Sequence, residues 1–279
     1  MGILNLRRRR TALAAGLATL AMAVGAAAVP AQAVDKTTYI ALGDSYAAGQ
    51  GAGPYLDACY RSDNAYSELA ADTKSVKLVT NAACSGKTTQ DVVKSQLRQL
   101  NRSTELVTIT AGGNNLGFGD IVTYCGANLV SPSVAGAALC DKASADAAVK
   151  IASGQLAGEV ASMIQSVKAA APNAKVVVTG YPYLYDPVTP NPAIPLSLFI
   201  YQATLLANGL NDSIAGAAGP AGAEFVDVRP AFAGHGINSL TNDPWINGAT
   251  GSADSFHPNA KGYLAYYKAL SKAEVFSAR

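Results

Sequence analysis

The chain is poor in the residues that bind metal ions. It has only two histidines and four cysteines among 279 residues, and no two cysteines form a C-x-x-C pair. A structural zinc site needs four such ligands, usually in closely spaced pairs. The two histidines also lie far from the cysteines in the sequence. We therefore expect neither a metal nor another cofactor.

Basic residues are too dispersed for a nucleic-acid surface. The whole chain has 21 basic and 19 acidic residues, a formal net charge of +2. Residues 1–33 contain four arginines and no acid, so the rest of the chain has 21 − 4 = 17 basic and 19 acidic residues, a net charge of −2. Nucleic-acid binding depends on clustered Lys and Arg, which excludes such a partner.

The only long apolar run lies at the N-terminus. Residues 7–10 are arginines, residues 12–29 are apolar, and Ala31-Gln32-Ala33 is a small-residue cleavage site. This pattern predicts a cleaved secretory signal peptide at residues 1–33 rather than a membrane anchor. Because no second apolar span follows, we predict a secreted, extracellular protein without a stable membrane span.

Residues 34–279 contain neither an internal repeat nor a linker. A chain of this length can bury one large core, so the prediction is a single domain, which we expect to be a monomer. Short apolar runs alternate with helical patterns, which predicts a three-layer α/β/α sandwich with a five-stranded parallel sheet. The predicted strands cover residues 38–42, 77–81, 105–111, 175–180 and 224–228. The predicted helices cover residues 65–72, 88–100, 141–171, 196–218 and 258–274, and residues 118–140 read as irregular.

Ser45 stands just after the first predicted strand, in the stretch Gly43-Asp44-Ser45-Tyr46. The loop at the carboxyl end of such a strand is where open α/β sheets bind their ligands. A serine there is often only a helix N-cap, and as a nucleophile it needs a base. Neither the G-x-S-x-G elbow nor the G-x-G-x-x-G dinucleotide fingerprint is present.

His257 is the candidate base. Asp254 precedes it by three residues, and one tight turn would let the carboxylate orient the imidazole and stabilise its charged form. The other histidine, His235, lies in a glycine-rich loop without a nearby acid. We interpret His235 as structural, and Ser45, His257 and Asp254 as the catalytic set.

Two further stretches follow predicted strands, Cys84-Ser85-Gly86 and Gly112-Gly113-Asn114-Asn115. A glycine lets a backbone N–H approach a substrate, and an asparagine amide can donate from the side. The hypothesis is an oxyanion hole formed by the backbone N–H groups of Ser45 and Gly86 and the amide of Asn114. The alternative is that Gly86 only serves a turn and Asn114 only caps a helix.

Export makes the four cysteines interpretable as two disulfides. Three pairings are possible. Cys59–Cys84 and Cys125–Cys140 are favoured because each closes a modest loop, and each bridge would stabilise the fold by about 3 kcal/mol.

These four blocks, in this order, resemble the SGNH (GDSL-type) hydrolases, with the closest likeness to the secreted bacterial lipases and esterases. The resemblance implies a flavodoxin-like sheet, a Cys59–Cys84 bridge and hydrolysis of carboxylic esters through an acyl-enzyme on Ser45. There are two departures. Asn115 stands where the family usually has an acid, and a third cysteine pair found in many relatives is missing.

The predicted substrate is a lipid or fatty-acyl ester. Tyr181, Tyr183 and Tyr185 follow a strand and either line an apolar groove for it or merely pack a proline-rich loop. One alternative is an acetylesterase acting on decorated polysaccharides. Another, prompted by Asn115, is a surface-binding module that has lost catalysis, although Ser45 and the other site residues are intact.

Overall fold

Five strands form one parallel sheet in the computed structural model, which describes residues 36–249 and 251–277. The predicted signal peptide at residues 1–33 lies outside the described residues. The strand order is β2-β1-β3-β4-β5, the flavodoxin-like order, and all five predicted strands are confirmed. The strands are β1 (Thr37–Gly43), β2 (Val76–Asn81), β3 (Leu106–Thr110), β4 (Lys175–Thr179) and β5 (Glu224–Val226).

The middle of the sheet is buried on both faces. Every residue of β3 is buried, and so are Tyr39 to Gly43 of β1. The edge strand β2 instead alternates, with exposed Lys77 and Val79 between less exposed neighbours. Continuous apolar runs therefore mark the central strands, as expected for parallel sheets covered by helices.

Helices cover the sheet on both sides. They are α1 (Ser45–Ala48), α2 (Tyr66–Ala71), α3 (Thr89–Ser95), α4 (Phe118–Val130), α5 (Val134–Ala152), α6 (Gln155–Ala170), α7 (Pro195–Ala218) and α8 (Ala260–Lys272). Helix α2 packs against α8, whereas α6 packs against α3 and α7. The helices form two groups because the crossovers are right-handed and change direction along the sheet. The connection from β1 to β2 puts its helix on one face, and the connections that run the other way, from β2 to β3 and on to β5, put theirs on the opposite face.

The prediction was wrong between residues 118 and 171. Residues 118–140, expected to be irregular, form α4 and the start of α5, and the single helix expected over 141–171 is two helices. The break falls at Gly154, whose φ of +73° is left-handed and ends α5 as glycine commonly does. Gly119 and Gly126 lower the helix propensity of α4, and packing between α4 and α5 outweighs it.

Both predicted disulfides are confirmed. Cys59–Cys84 joins the loop after α1 to the loop after β2, and Cys125–Cys140 joins α4 to α5. Within the two described ranges, none of the helices has the length and apolar character that a membrane crossing requires.

Candidate active site

The site lies at the carboxyl ends of β1 and β3, which are neighbours in the sheet although β2 separates them in the chain. The loops leaving two such strands diverge to opposite faces, which opens a crevice between them. Ser45 follows β1, and Asn114 follows β3. The topology thus brings together two of the blocks identified in the sequence.

The turn that presents Ser45 requires a glycine at position 43. Gly43 has a φ of +134°, and a Cβ there would lie 2.1 Å from the carbonyl oxygen of Thr110. The buried side chain of Gln96 also fixes Gly43, by binding both of its backbone polar groups. Its Oε1 accepts from the Gly43 N–H and its Nε2 donates to the Gly43 carbonyl, both at 2.8 Å. Gln96 is a site-supporting residue that the sequence did not reveal.

Ser45 and His257 form a hydrogen-bonded pair. The distance from Ser45 Oγ to His257 Nε2 is 2.8 Å. On its other side the ring places Nδ1 2.8 Å from the backbone carbonyl of Ser255. A carbonyl only accepts, so Nδ1 carries the hydrogen and the neutral ring leaves Nε2 free to accept from the serine hydroxyl.

Asp254 does not contact the imidazole as the sequence had suggested. Its carboxylate accepts a hydrogen bond from the Tyr55 hydroxyl, and that hydroxyl in turn accepts from the Gly51 N–H at 2.8 Å. The chain turns at Phe256, whose φ of +63° is left-handed. At this turn the imidazole of His257 pairs with the backbone carbonyl of Ser255, two residues earlier in the chain. Asp254 instead links the loop to Tyr55, in the segment after α1.

The loop of His257 is also held by a short antiparallel pairing. Asn247 donates its N–H to the His257 carbonyl and accepts from the Phe256 N–H, both at 2.9 Å. Beside it, the Trp245 ring stacks on His235 with ring centroids 3.4 Å apart. The interpretation of His235 as structural agrees with this position.

Burial lowers the pKa of His257. The hydrogen bond to Ser255 and the negative charge of Asp254 act in the opposite direction without cancelling it. A buried imidazole is easier to hold neutral than charged. The imidazole of His257 therefore stays neutral, the form that can accept a proton, down to a lower pH than that of a free histidine.

Asp44 braces the serine turn and is linked to the neighbouring loop. Its buried carboxylate accepts from the Tyr46 N–H at 3.0 Å and from the Tyr181 hydroxyl. Burial raises the pKa of Asp44 to about 7. The Tyr181 hydroxyl also accepts from the Gly113 N–H at 3.2 Å. One phenol thus joins the Ser45 turn to the loop after β3.

Asn114 and Gly86 lie in the loops that follow β3 and β2. The Asn114 amide donates to the Lys87 carbonyl at 2.9 Å, which uses one of its two hydrogens and fixes its orientation. Asn114 lines the same cavity as Ser45. Gly86 has a φ of +76°, and the space where a Cβ would stand is open to 4 Å.

Asn115 has a local structural explanation. Its Nδ2 lies 2.6 Å from a carboxylate oxygen of Glu159, and its Oδ1 accepts from the Thr89 N–H at 3.0 Å. Although burial acts to raise the pKa of Glu159, hydrogen bonds from Gln155 and Asn115 lower it overall. An acid at position 115 would face this ionised carboxylate, whereas an amide satisfies it.

Gln50 is a second buried amide that the sequence did not reveal. Its Oε1 accepts from the Ser85 hydroxyl at 2.5 Å, and its Nε2 donates to the Ala253 carbonyl. This side chain, 4% exposed, links the Gly86 loop to the His257 loop. A glutamine in a loop carries no sequence signal for such a role.

An apolar cavity begins at Ser45 and runs between α4 and α7. All three tyrosines of residues 181–185 line it, which decides between the two interpretations of that stretch in favour of a groove. Its other walls are mostly aliphatic and aromatic, among them Leu116, Phe118, Ile121, Val122, Phe199, Ala203 and Leu206. Nowhere in the described part of the chain do three His, Cys, Asp or Glu side chains cluster as around a metal ion.

A parallel α/β sheet with a hydrogen-bonded serine–histidine pair at its switch point is the arrangement of serine hydrolases. The chain belongs to the GDSL-like Lipase/Acylhydrolase family, whose profile matches residues 41–265. It is 37% identical over 272 residues to a lipase of Streptomyces rimosus, covering 94% of this chain and 97% of that one.

Two solved structures are similar over 85% of this chain and 99% of theirs. The crystal structure of an extracellular lipase from Streptomyces rimosus has a TM-score of 0.75 at 34% identity. That of phospholipase A1 from Streptomyces albidoflavus NA297 has a TM-score of 0.73 at 36% identity. These likenesses confirm the family that the motifs indicated.

Proposed function

We propose that the chain is a secreted serine hydrolase that cleaves the carboxylic esters of lipids. The observation that carries this proposal is the 2.8 Å contact between Ser45 Oγ and His257 Nε2. The apolar cavity that begins beside the same serine supports a lipid substrate. The names of the relatives, lipase and phospholipase A1, agree with it.

In the first half-reaction His257 takes the proton of Ser45 as Oγ attacks the acyl carbonyl. The Ser255 carbonyl keeps Nδ1 protonated and offsets part of the charge on the imidazolium. The ring then gives its proton to the departing alkoxide, which leaves an acyl-enzyme on Ser45. In the second half, His257 activates a water that releases the acid and restores the serine.

The oxyanion of each tetrahedral intermediate needs donors. In this proposal they are the backbone N–H groups of Ser45 and Gly86 and the second amide hydrogen of Asn114. Each such donor contributes about 3 kcal/mol of transition-state stabilisation. The contact of Asn114 with the Lys87 carbonyl supports this role because it holds the amide in place before substrate arrives.

The cavity favours long acyl chains over acetyl groups. Burying each methylene of an acyl chain contributes about 0.8 kcal/mol, and the walls from α4 and α7 are mostly apolar, with Gln202 and Thr204 as the polar residues of α7. An acetyl group would leave most of this surface unused. Asn115, which would otherwise suggest a module without catalysis, is accounted for by its contact with Glu159.

Export is the remaining part of the proposal. Its support is the pattern of residues 1–33 together with the two disulfides, because disulfides persist in oxidising compartments. Sequencing the N-terminus of the protein recovered from the culture medium tests this, with residue 34 as the expected first residue.

A covalent probe tests the nucleophile. A fluorophosphonate should label the wild-type chain at Ser45, and peptide mapping should locate the adduct there. Ser45→Ala should remain folded but lose labelling and ester hydrolysis, whereas the buried Ser67→Ala should keep both. An adduct on another serine, or near-normal hydrolysis by Ser45→Ala, would disprove the mechanism. A p-nitrophenyl ester series of increasing chain length then separates lipase from acetylesterase.

A further inference from the structure

Two stretches of the chain have no charged residue, and both form walls of the cavity. Between Asp120 and Asp141, and again between Asp186 and Asp212, there is no Asp, Glu, Lys, Arg or His. The first stretch contributes Ile121, Val122 and Cys125 to the cavity, and the second contributes Phe199, Ala203 and Leu206. We call residues 121–140 and 187–211 together the uncharged rim.

The uncharged rim also holds most of the exposed apolar surface. Six of the eleven large apolar side chains that are exposed among the described residues lie in it: Val134, Leu139, Ile194, Leu196, Tyr201 and Leu205. Soluble proteins scatter such side chains singly, and concentrated apolar surface marks an interaction site. The same two stretches also supply walls of the cavity that leads to Ser45.

Helix α7 shows how the cavity and the exposed surface join. Phe199, Ala203 and Leu206 follow helical spacing and line the cavity. Leu196, three residues before Phe199 on the same face, is 47% exposed, whereas Tyr201 and Leu205, 39% and 52% exposed, lie on the opposite face. One helix thus presents apolar side chains both to a bound acyl chain and to whatever lies outside the mouth.

We propose that the uncharged rim docks onto the surface of a neutral or zwitterionic lipid aggregate. The proposal rests on the function proposed above, because it takes the substrate to leave a lipid surface and enter the cavity beside Ser45. A rim without basic residues has no charge attraction for anionic lipids. Its affinity comes from burying apolar side chains, so salt should leave it unchanged.

The experiment separates surface binding from catalysis by using Ser45→Ala as the parent. Flotation with phosphatidylcholine vesicles measures the bound fraction against lipid concentration. The rim variant is Ile194→Ser with Leu196→Ser, at side chains 50% and 47% exposed. The matched control is Val79→Ser with Leu264→Ser, at side chains 54% and 41% exposed outside the rim.

The rim variant should lower vesicle partitioning by about tenfold or more, and the control should not. In the chain with an intact Ser45, the rim variant should lower hydrolysis of the aggregated lipid while keeping kcat/KM on p-nitrophenyl acetate. If the chain cleaves no ester, the proposed function is wrong. The vesicle measurement on Ser45→Ala would still test the docking surface, because it does not depend on catalysis.

Three results would overturn the proposal. Equal loss of binding in the rim variant and the control would show that vesicle binding does not depend on the uncharged rim. Binding that needs anionic lipid and disappears in salt would place it on a charged surface. A dimer that the rim variant converts to a monomer, with vesicle binding unchanged, would make the rim an interface between two copies.

Discussion

The imidazole of His257 is oriented by the backbone carbonyl of Ser255, whose oxygen lies 2.8 Å from Nδ1. A carbonyl fixes the tautomer as a carboxylate does but carries no full charge, so it stabilises the imidazolium less. It also cannot be removed by changing a side chain. The Asp254 carboxylate is engaged with Tyr55 instead.

The first prediction concerns these two residues. His257→Ala should lose about 10⁴-fold or more in kcat/KM, because it removes the base that lies 2.8 Å from Ser45 Oγ. Asp254→Asn should lose less than about tenfold, because its amide oxygen still accepts from Tyr55. Rates of both variants on one soluble ester check this. If Asp254→Asn is as inactive as His257→Ala, the carboxylate is what orients the ring.

The second prediction is a pH profile. Burial lowers the pKa of His257, and below that pKa the ring is protonated and cannot accept from Ser45. The acid limb of kcat/KM should therefore lie below about 6.5, the value of a free histidine. Asp254→Asn removes a charge that raises this pKa, so the limb should move to still lower pH. A shift to higher pH would contradict the assignment.

The third prediction isolates the hydroxyl of Tyr181, which joins Asp44 to the Gly113 loop. Tyr181→Phe should lower kcat on a soluble ester more than it changes KM, because the loop carrying Asn114 loses its link to the Ser45 turn. The control is Tyr183→Phe. Tyr183 lines the same cavity, but its hydroxyl donates to Asn208 at 2.5 Å. Equal effects in both variants would assign the loss to the cavity rather than to the link.

Much of the fold was predictable because each central strand is a short, continuous apolar run whose side chains are almost completely buried. The Val176–Val178 run and the all-buried β3 mark central parallel strands, and Gly43 and Ser45 mark the turn. The helix α4 was missed because its sequence contains two glycines and only one charged residue, Asp120. Its helical state depends on packing against α5, which local propensity does not encode.

The partners of the site residues were harder to predict than the residues themselves. Asp254 is near His257 in sequence, yet the ring bonds to Ser255, because a single left-handed residue, Phe256, redirects the chain. Gln96 and Gln50 reach the site from other elements through side-chain amides. Such long-range amide contacts have no period or motif, so only the tertiary structure identifies them.

The fourth prediction tests whether the contact with Glu159 is the reason that position 115 holds Asn rather than the acid usual in the family. Asn115→Asp would set a carboxylate against Glu159, whose oxygen now lies 2.6 Å from Nδ2. We expect a loss of about 1–3 kcal/mol in the free energy of unfolding at neutral pH. Glu159→Gln should recover most of it in the double variant. A cycle of four chemical denaturation curves measures the coupling, and additive effects would refute a direct contact.

The fifth prediction separates the two disulfides. Removing Cys125–Cys140 with paired serines should lower the free energy of unfolding by about 3 kcal/mol on the chain-entropy model. Because Cys125 lines the cavity, this change should also loosen the α4 wall. The loss in kcat/KM should therefore be larger for a long-chain ester than for an acetate.

Removing Cys59–Cys84 in the same way is the matched control. This bridge adjoins the Gly86 loop, where the carbonyl of every ester would be held, so both chain lengths should lose activity by the same factor. Melting curves and the ratio of kcat/KM values for the two esters measure the contrast. An unchanged ratio after loss of Cys125–Cys140 would show that α4 keeps its position without the bridge. Packing against α5 and α7, rather than the bridge, would then hold the α4 wall of the acyl cavity.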